Sequence, residues 1–170
     1  TEISMVLYAT SLLMLHLNLP KCTLKVSRDS ADRLKVFDTL RKKYVALTPE
    51  EYVRQHFVNY LINDLHYPVG LTANEVTIKL NDTTKRCDTV VWDKTGRPVM
   101  IVEYKAPAIA ITQEVFDQIV RYNMVLHADY IVVSNGLQHF CCRLDYTNNT
   151  YQFIPQIPDY NALIIGASEN

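Results

Sequence analysis

Asp88, Glu103 and Lys105 have the types and the spacing to do chemistry together. Two carboxylates side by side suit a hard divalent cation. Magnesium takes only a few carboxylate oxygens, keeps several waters and so leaves positions for phosphate oxygens. Such a metal supplies Lewis acidity and lowers the pKa of its bound water. A lysine beside it can orient or deprotonate an attacking water, or stabilise charge on phosphorus. Phosphodiester hydrolysis uses all three groups at once. The same trio could equally form cross-strand ion pairs worth under about 1 kcal/mol each, and Glu-x-Lys alone is a common tripeptide. Position raises the first reading: the charges end strongly apolar runs, and Pro107 then interrupts any sheet.

The element that must position them runs from Arg86 to Lys105. Val90-Val91-Trp92 and Val99-Met100-Ile101-Val102 are two apolar strands, and Asp93-Lys94-Thr95-Gly96-Arg97 between them is turn chemistry, which predicts a β-hairpin. If Lys94 faces Arg97, Asp88 falls directly across from Glu103, with Cβ atoms roughly 5 Å apart. Lys105 then points to the same face, because side chains repeat every second residue. If instead the turn has three residues with Gly96 left-handed, the pairing moves by one. Asp88 and Glu103 then fall on opposite faces unless a bulge restores the alignment. The turn residues allow both forms.

Around the hairpin the periodicities are clear. Residues 22 to 45 read as short strands, Cys22 to Val26 and Leu34 to Phe37, about a polar turn. Arg41-Lys42-Lys43 reads as a solvated basic turn or a phosphate-contacting patch. Thr48-Pro49-Glu50-Glu51 is a helix start, with Thr48 as cap and Glu51 completing a capping box. Val53, Phe57, Leu61 and Leu65 follow at helical spacing to Tyr67-Pro68. Glu51 and Arg54 could face a substrate, although capping and solvation account for them. Val76, Ile78 and Leu80 alternate as a strand, with Glu75 at its start. Thr112 to His127 is a second amphipathic helix with Gln118 and Tyr122 on one face. Tyr130 to Ser134 is a buried strand, Asn135-Gly136 a hairpin turn, and Leu137 to Leu144 and Tyr151 to Ile154 are further strands. The order predicts a mixed α+β domain, helix-β-β-β-helix-β, with extra antiparallel strands at both ends. One domain is expected over residues 14 to 158, with residues 1 to 13 an extension or added helix and 159 to 170 a tail.

Composition narrows the function. The chain has 170 residues, 48% hydrophobic and 21% charged, enough for one sizeable core. The N-terminal apolar run lacks a basic region and a cleavage pattern, which argues against a signal or membrane segment. Cys22, Cys87, Cys141 and Cys142 show no Cys-x-x-Cys spacing, so reduced thiols in a cytoplasmic protein are expected rather than zinc ligands. There is no Gly-x-Gly-x-x-Gly and no phosphate loop, which excludes a nucleotide cofactor of those types. The net charge of −1 means that nucleic acid would have to be held by local clusters or by a partner.

Asp at the head of the second strand and Glu-x-Lys at the end of the third resemble the PD-(D/E)xK nuclease superfamily. Arg86-Cys87-Asp88, Val102-Glu103-Tyr104-Lys105-Ala106-Pro107 and Gln118-Ile-Val-Arg-Tyr122 are similar to the N-terminal nuclease domain of type I restriction enzyme R subunits. The Leu47-Thr48-Pro49-Glu50-Glu51-Tyr52-Val53-Arg54-Gln55 opening resembles small stand-alone members of that group. Cys87 stands where the superfamily name has Pro. The resemblance implies a restriction-endonuclease-like core and a magnesium-dependent DNA endonuclease of restriction-modification, manganese being a substitute. Asp88, Glu103 and the Tyr104 carbonyl would hold the metal, with Glu75 as an accessory acid. Lys105 would act on the water and Gln118 would assist catalysis. Tyr122, Arg86 and Arg121 would contact DNA. It also implies a homodimer or a separate subunit that delivers DNA, and no membrane. The other reading keeps the fold as a non-catalytic nucleic-acid-binding or assembly subunit.

Overall fold

The computed structural model describes residues 15–169; the extension expected over 1 to 13 lies outside them. Among the described residues nine strands and three α-helices follow one another: β1 (Val26–Arg28), β2 (Leu34–Asp38), β3 (Lys43–Ala46), α1 (Pro49–Asn59), β4 (Thr72–Leu80), β5 (Thr83–Trp92), β6 (Pro98–Tyr104), α2 (Gln113–Met124), β7 (Tyr130–Ser134), β8 (His139–Asp145), β9 (Thr150–Ile154) and α3 (Tyr160–Ser168). The expected helix-β-β-β-helix-β core is present. Strands β1-β2-β3 form a small antiparallel sheet, and β4-β5-β6-β7-β8-β9 form the large one in chain order. Every pairing in the large sheet is antiparallel except β6 with β7, the pair that α2 joins. A parallel pair needs a crossover, and the amphipathic run from Thr112 supplies it.

The helices divide between the faces. Val53 and Phe57 of α1, with Leu61 of the π-helical turn that continues it (Tyr60–Asp64), pack with Val91, Met100, Val102, Tyr104 and Val132 on one face. Phe116 and Val120 of α2 pack with Ile131, Val133, Cys142 and Leu144 on the other. Adjacent Cys141 and Cys142 point to opposite faces, each into its own core, as neighbours on a strand must. Where the sequence offers only a tail beyond Pro158, Tyr160–Ser168 forms α3, capped by the Asp159 carboxylate on the Ala162 N–H. Tyr160, Leu163 and Ala167 of α3 close the α1 face of the core. Short length hid this amphipathic helix: three inward residues in nine make a weak period. The strand β3 also lies where the sequence shows mainly a basic turn. Among the described residues no helix is long and apolar enough to cross a membrane.

Candidate active site

The β5–β6 register decides whether Asp88 and Glu103 meet. The turn takes the three-residue form: Asp93 N–H donates to the Arg97 carbonyl at 3.0 Å, Gly96 N–H to the Asp93 carbonyl at 3.1 Å, and Gly96 has φ +84°. Left alone this would misalign the acids, and Trp92 does pair with Pro98. An irregularity between Val91 and Trp92 absorbs the extra residue, so that Val91 faces Met100 and Thr89 faces Val102. The next step along that register sets Asp88 against Glu103.

At that step the strands part. Strand β6 stays with β7, where Tyr104 pairs Ser134 and Lys105 N–H donates to the Ser134 carbonyl at 2.8 Å. The Tyr104 N–H donates to Asp88 Oδ2 at 2.9 Å, so the carboxylate stands in for a ladder carbonyl across the fork. Its Oδ1 lies 3.4 Å from Arg54 Nη2. Glu103 Oε1 is enclosed and has no hydrogen-bond partner. Burial first, then the Asp88 charge and a hydrogen bond shared with Asp88, push the Glu103 carboxyl well above the ordinary range, while Lys105 and a hydrogen bond from Asn123 pull the other way. A cation placed against Glu103 would favour its charged form. Lys105 makes no ion pair within 4 Å among the described residues, although its charge reaches Glu103.

Glu75 lies on the β4 side of Asp88, between the pairs Asn74–Thr89 and Val76–Cys87, with φ +54°. That conformation is costly for a non-glycine residue inside a strand and turns Glu75 out of regular pairing. Its carboxylate is held by Arg54 Nη2 at 2.6 Å and by Arg86 Nε at 2.7 Å. Burial opposes its charge, but the two arginines outweigh burial and hold it below the usual range. Gln118 and Tyr122 are exposed on α2, and the Lys85 ammonium sits 3.6 Å above the Tyr122 ring. Arg121 is exposed beside them. Thus Asp88, Glu103, Tyr104 and Lys105 come together, Glu75 and Arg86 flank them, and Gln118, Arg121 and Tyr122 lie on the α2 surface.

Of two further residues at the site, the sequence reads Arg54 as solvated or substrate-facing and passes over Asn123. Arg54, expected to be solvated, is buried along with Glu51. Its Nη1 donates to Glu51 at 2.9 Å, and Arg41 Nη2 reaches the same carboxylate at 2.5 Å. A chain of charges, buried at Asp38, Glu51 and Arg54 and half-buried elsewhere, therefore runs from Asp38 through Arg41, Glu51 and Arg54 to Glu75 and Asp88. Glu51 accordingly faces arginines, and only the Thr48 half of the capping box forms, Glu51 N–H donating to Thr48 Oγ1 at 3.1 Å. Asn123 is fully buried on α2 and anchored through Nδ2 to the Ile119 carbonyl at 2.9 Å. A signal existed for both: Arg54 stands three and seven residues before Phe57 and Leu61, and Asn123 three after Val120, on the inward stripes of their helices.

Among the described residues no group of three or more His, Cys, Asp or Glu is gathered to hold a metal. A cation here would rest on two carboxylates and water, which is what magnesium accepts. The enclosed Glu103 Oε1, beside a second carboxylate, fits that ion.

The family model described as the type I restriction enzyme R protein N terminus matches residues 49–158. Among solved structures the chain is similar to a fragment assigned to the HsdR subunit of a type I restriction enzyme from Vibrio vulnificus YJ016. The two are 17% identical with a TM-score of 0.46, over 71% of this chain and 26% of that one. The chain thus spans about a quarter of that structure's length. No curated protein matches it.

Proposed function

The chain belongs to the type I restriction enzyme R protein N-terminal family, and from that footing we propose that it is a magnesium-dependent endonuclease hydrolysing DNA phosphodiester bonds. One observation carries the proposal: Asp88 and Glu103 meet where β5 and β6 part, with Glu103 Oε1 enclosed and unmet. Asp88, Glu103 and the Tyr104 carbonyl would hold magnesium, or manganese in its place. When bound, the metal supplies Lewis acidity toward a phosphoryl oxygen and a more acidic water.

The chain's own groups do the rest. Asp88, pinned by the Tyr104 N–H, presents its carboxylate in a fixed orientation. Glu103 gives up its proton as it gains a positive partner. Lys105, two residues along the same strand, orients the attacking water and neutralises charge gathering on the phosphoryl group. Gln118 assists it, and Tyr122, Arg86 and Arg121 contact the DNA. Glu75 joins the ligands only by releasing an arginine, which makes it an accessory. Double-strand cutting calls for two such sites, hence a second copy or a separate subunit that brings the DNA.

The test pairs a calorimetric Mg²⁺ titration with cleavage of linear, nicked and supercoiled DNA. Binding and cutting that both vanish in Asp88→Ala, and cutting alone that vanishes in Lys105→Ala, are the expected results; cleavage persisting in either variant sinks the assignment. The non-catalytic subunit is favoured by one contact, Arg54 against Asp88, since a guanidinium already neutralises that acid. DNA binding without Mg²⁺ binding would establish it.

A further inference from the structure

The β4–β5 hairpin outruns its sheet. Strand β6 pairs with β5 only from Thr89 onward, whereas β4 and β5 stay paired out to Leu80 and Thr83. Residues 76 to 87 therefore form a two-stranded ribbon that starts at the candidate site. The strand rise makes it roughly 16 Å long, about half a turn of a DNA duplex. Its inner face is structural. Val76, Ile78 and Cys87 pack against Leu126, and Lys85 caps the Tyr122 ring.

The outer face is different. Register places Thr77 opposite Arg86 and Lys79 opposite Thr84, and all four are exposed. Among the described residues Lys79 has no ion pair, and Arg86, whose side chain is 75% exposed, forms its ion pair with Glu75. Besides Glu75, already held by two arginines, the one other acid of the ribbon is the exposed Asp82 in its turn. On a chain of net charge −1 this is a local concentration of cations and hydroxyls. Arginine, lysine and threonine are the groups that bind phosphate oxygens along a duplex.

We propose that the outer face of the β4–β5 ribbon, Thr77, Lys79, Thr84 and Arg86, is the track on which the backbone of duplex DNA lies, leading a phosphodiester to Asp88. The ribbon dictates the order of contact: Lys79 and Thr84 hold phosphates at its far end, and Arg86 holds one next to the site, two residues from Asp88 on the same strand. B-form DNA is favoured over duplex RNA because a two-stranded ribbon fits the wide major groove that flanks those phosphates, while the A-form counterpart is too narrow to admit one.

The inference rests on the nuclease reading for its partner, and the two fail differently. Fluorescence anisotropy of the full chain with a labelled DNA duplex, in EDTA so that nothing is cut, measures the ribbon alone. Lys79→Ala should lower the log–log salt slope by about 1. Lys79→Glu should weaken binding roughly tenfold at low salt, while Lys94→Glu, the same charge change at the opposite hairpin turn, leaves it unchanged. Equal losses in Lys79→Glu and Lys94→Glu, no loss in either, no duplex affinity in the unaltered chain, or equal affinity for duplex RNA would each overturn the proposal. Mg²⁺ binding at Asp88 and Glu103 is read in a separate titration without DNA. A chain that binds DNA through Lys79 but takes no metal keeps the ribbon and loses the nuclease.

Discussion

At the turn end of the β5–β6 hairpin, Asp93 is used up by its own turn. Its Oδ1 accepts from the Thr95 N–H at 2.9 Å, the Thr95 hydroxyl at 2.6 Å and the Arg97 N–H at 3.0 Å. Arg97 in turn pairs with Asp129 at 2.7 Å. At the open end, Asp88 bridges to Tyr104, but Glu103 Oε1 is enclosed without a partner and Lys105 lacks a carboxylate within 4 Å among the described residues. The same kinds of side chain, roughly 15 Å apart on one element, are closed locally at one end and left needing something from outside at the other. Folding explains the first arrangement completely. It does not explain the second, because a buried carboxyl oxygen without a partner costs stability.

The contrast should appear most strongly in activity. Asp88→Asn and Lys105→Ala are each expected to reduce Mg²⁺-dependent DNA cleavage by roughly 10²–10⁴-fold, the scale of a lost acid–base or charge-stabilising group. Asp93→Ala should cut at nearly the unaltered rate while losing about 1 kcal/mol of stability through its turn hydrogen bonds. Cleavage assays and denaturant titrations on the same preparations check both halves. An Asp93→Ala protein that is stable but inactive would erase the distinction between the ends.

A smaller effect, opposite in sign at the two ends, should appear in the pH dependence of stability. The Glu103 carboxyl is pushed up from the ordinary 4.5 to about 9 by burial and by Asp88. The folded chain therefore holds a proton there that the unfolded chain has lost. Its contribution is fully present below about 4.5 and is lost as pH rises toward 9. Slight burial opposes the Asp93 charge, but bonds from Thr95 and Arg97 outweigh it and hold its carboxyl below the usual range. Its contribution is present above the ordinary aspartate range and is lost as acid protonates it. Glu103→Gln should flatten the alkaline slope of the melting temperature and Asp93→Asn the acid one. Saturating Mg²⁺ should flatten the alkaline slope too, releasing a proton that calorimetry in two buffers can count.

Legibility in the sequence followed the same division. The hairpin, both long helices and the buried β7 strand were readable because apolar period and turn residues act locally. The trio was readable because charges at the ends of Val-rich runs are conspicuous. Arg54 could be named but not placed, and Asn123 was passed over, since a polar residue on an inward helical stripe acquires its meaning from the strand opposite: Asp88 and Glu75 for Arg54, Glu103 for Asn123. Glu75 could be named but not placed, because its backbone is left-handed and its carboxylate is held by Arg54 and Arg86 from other elements. The helix α3 was missed because nine residues give too little period to separate it from a tail.

The weakest expected effect tests how the two ends are linked. Gly96 has φ +84°, and a Cβ there would meet nothing within 4 Å, so Gly96→Ala probes backbone strain alone. It should cost about 1 kcal/mol. The Val91–Trp92 bulge lies between that turn and the acids and already absorbs one residue of misalignment. A strained or reshaped turn should therefore be taken up at the bulge, leaving Val91 on Met100, Thr89 on Val102 and Asp88 on Glu103. Cleavage by Gly96→Ala, measured at a temperature where the variant is fully folded, should match the unaltered chain. A drop in cleavage out of proportion to the stability loss would mean that the register slips through the bulge. Turn and site would then be one mechanical unit, because a slip of one residue sends every side chain beyond it to the other face.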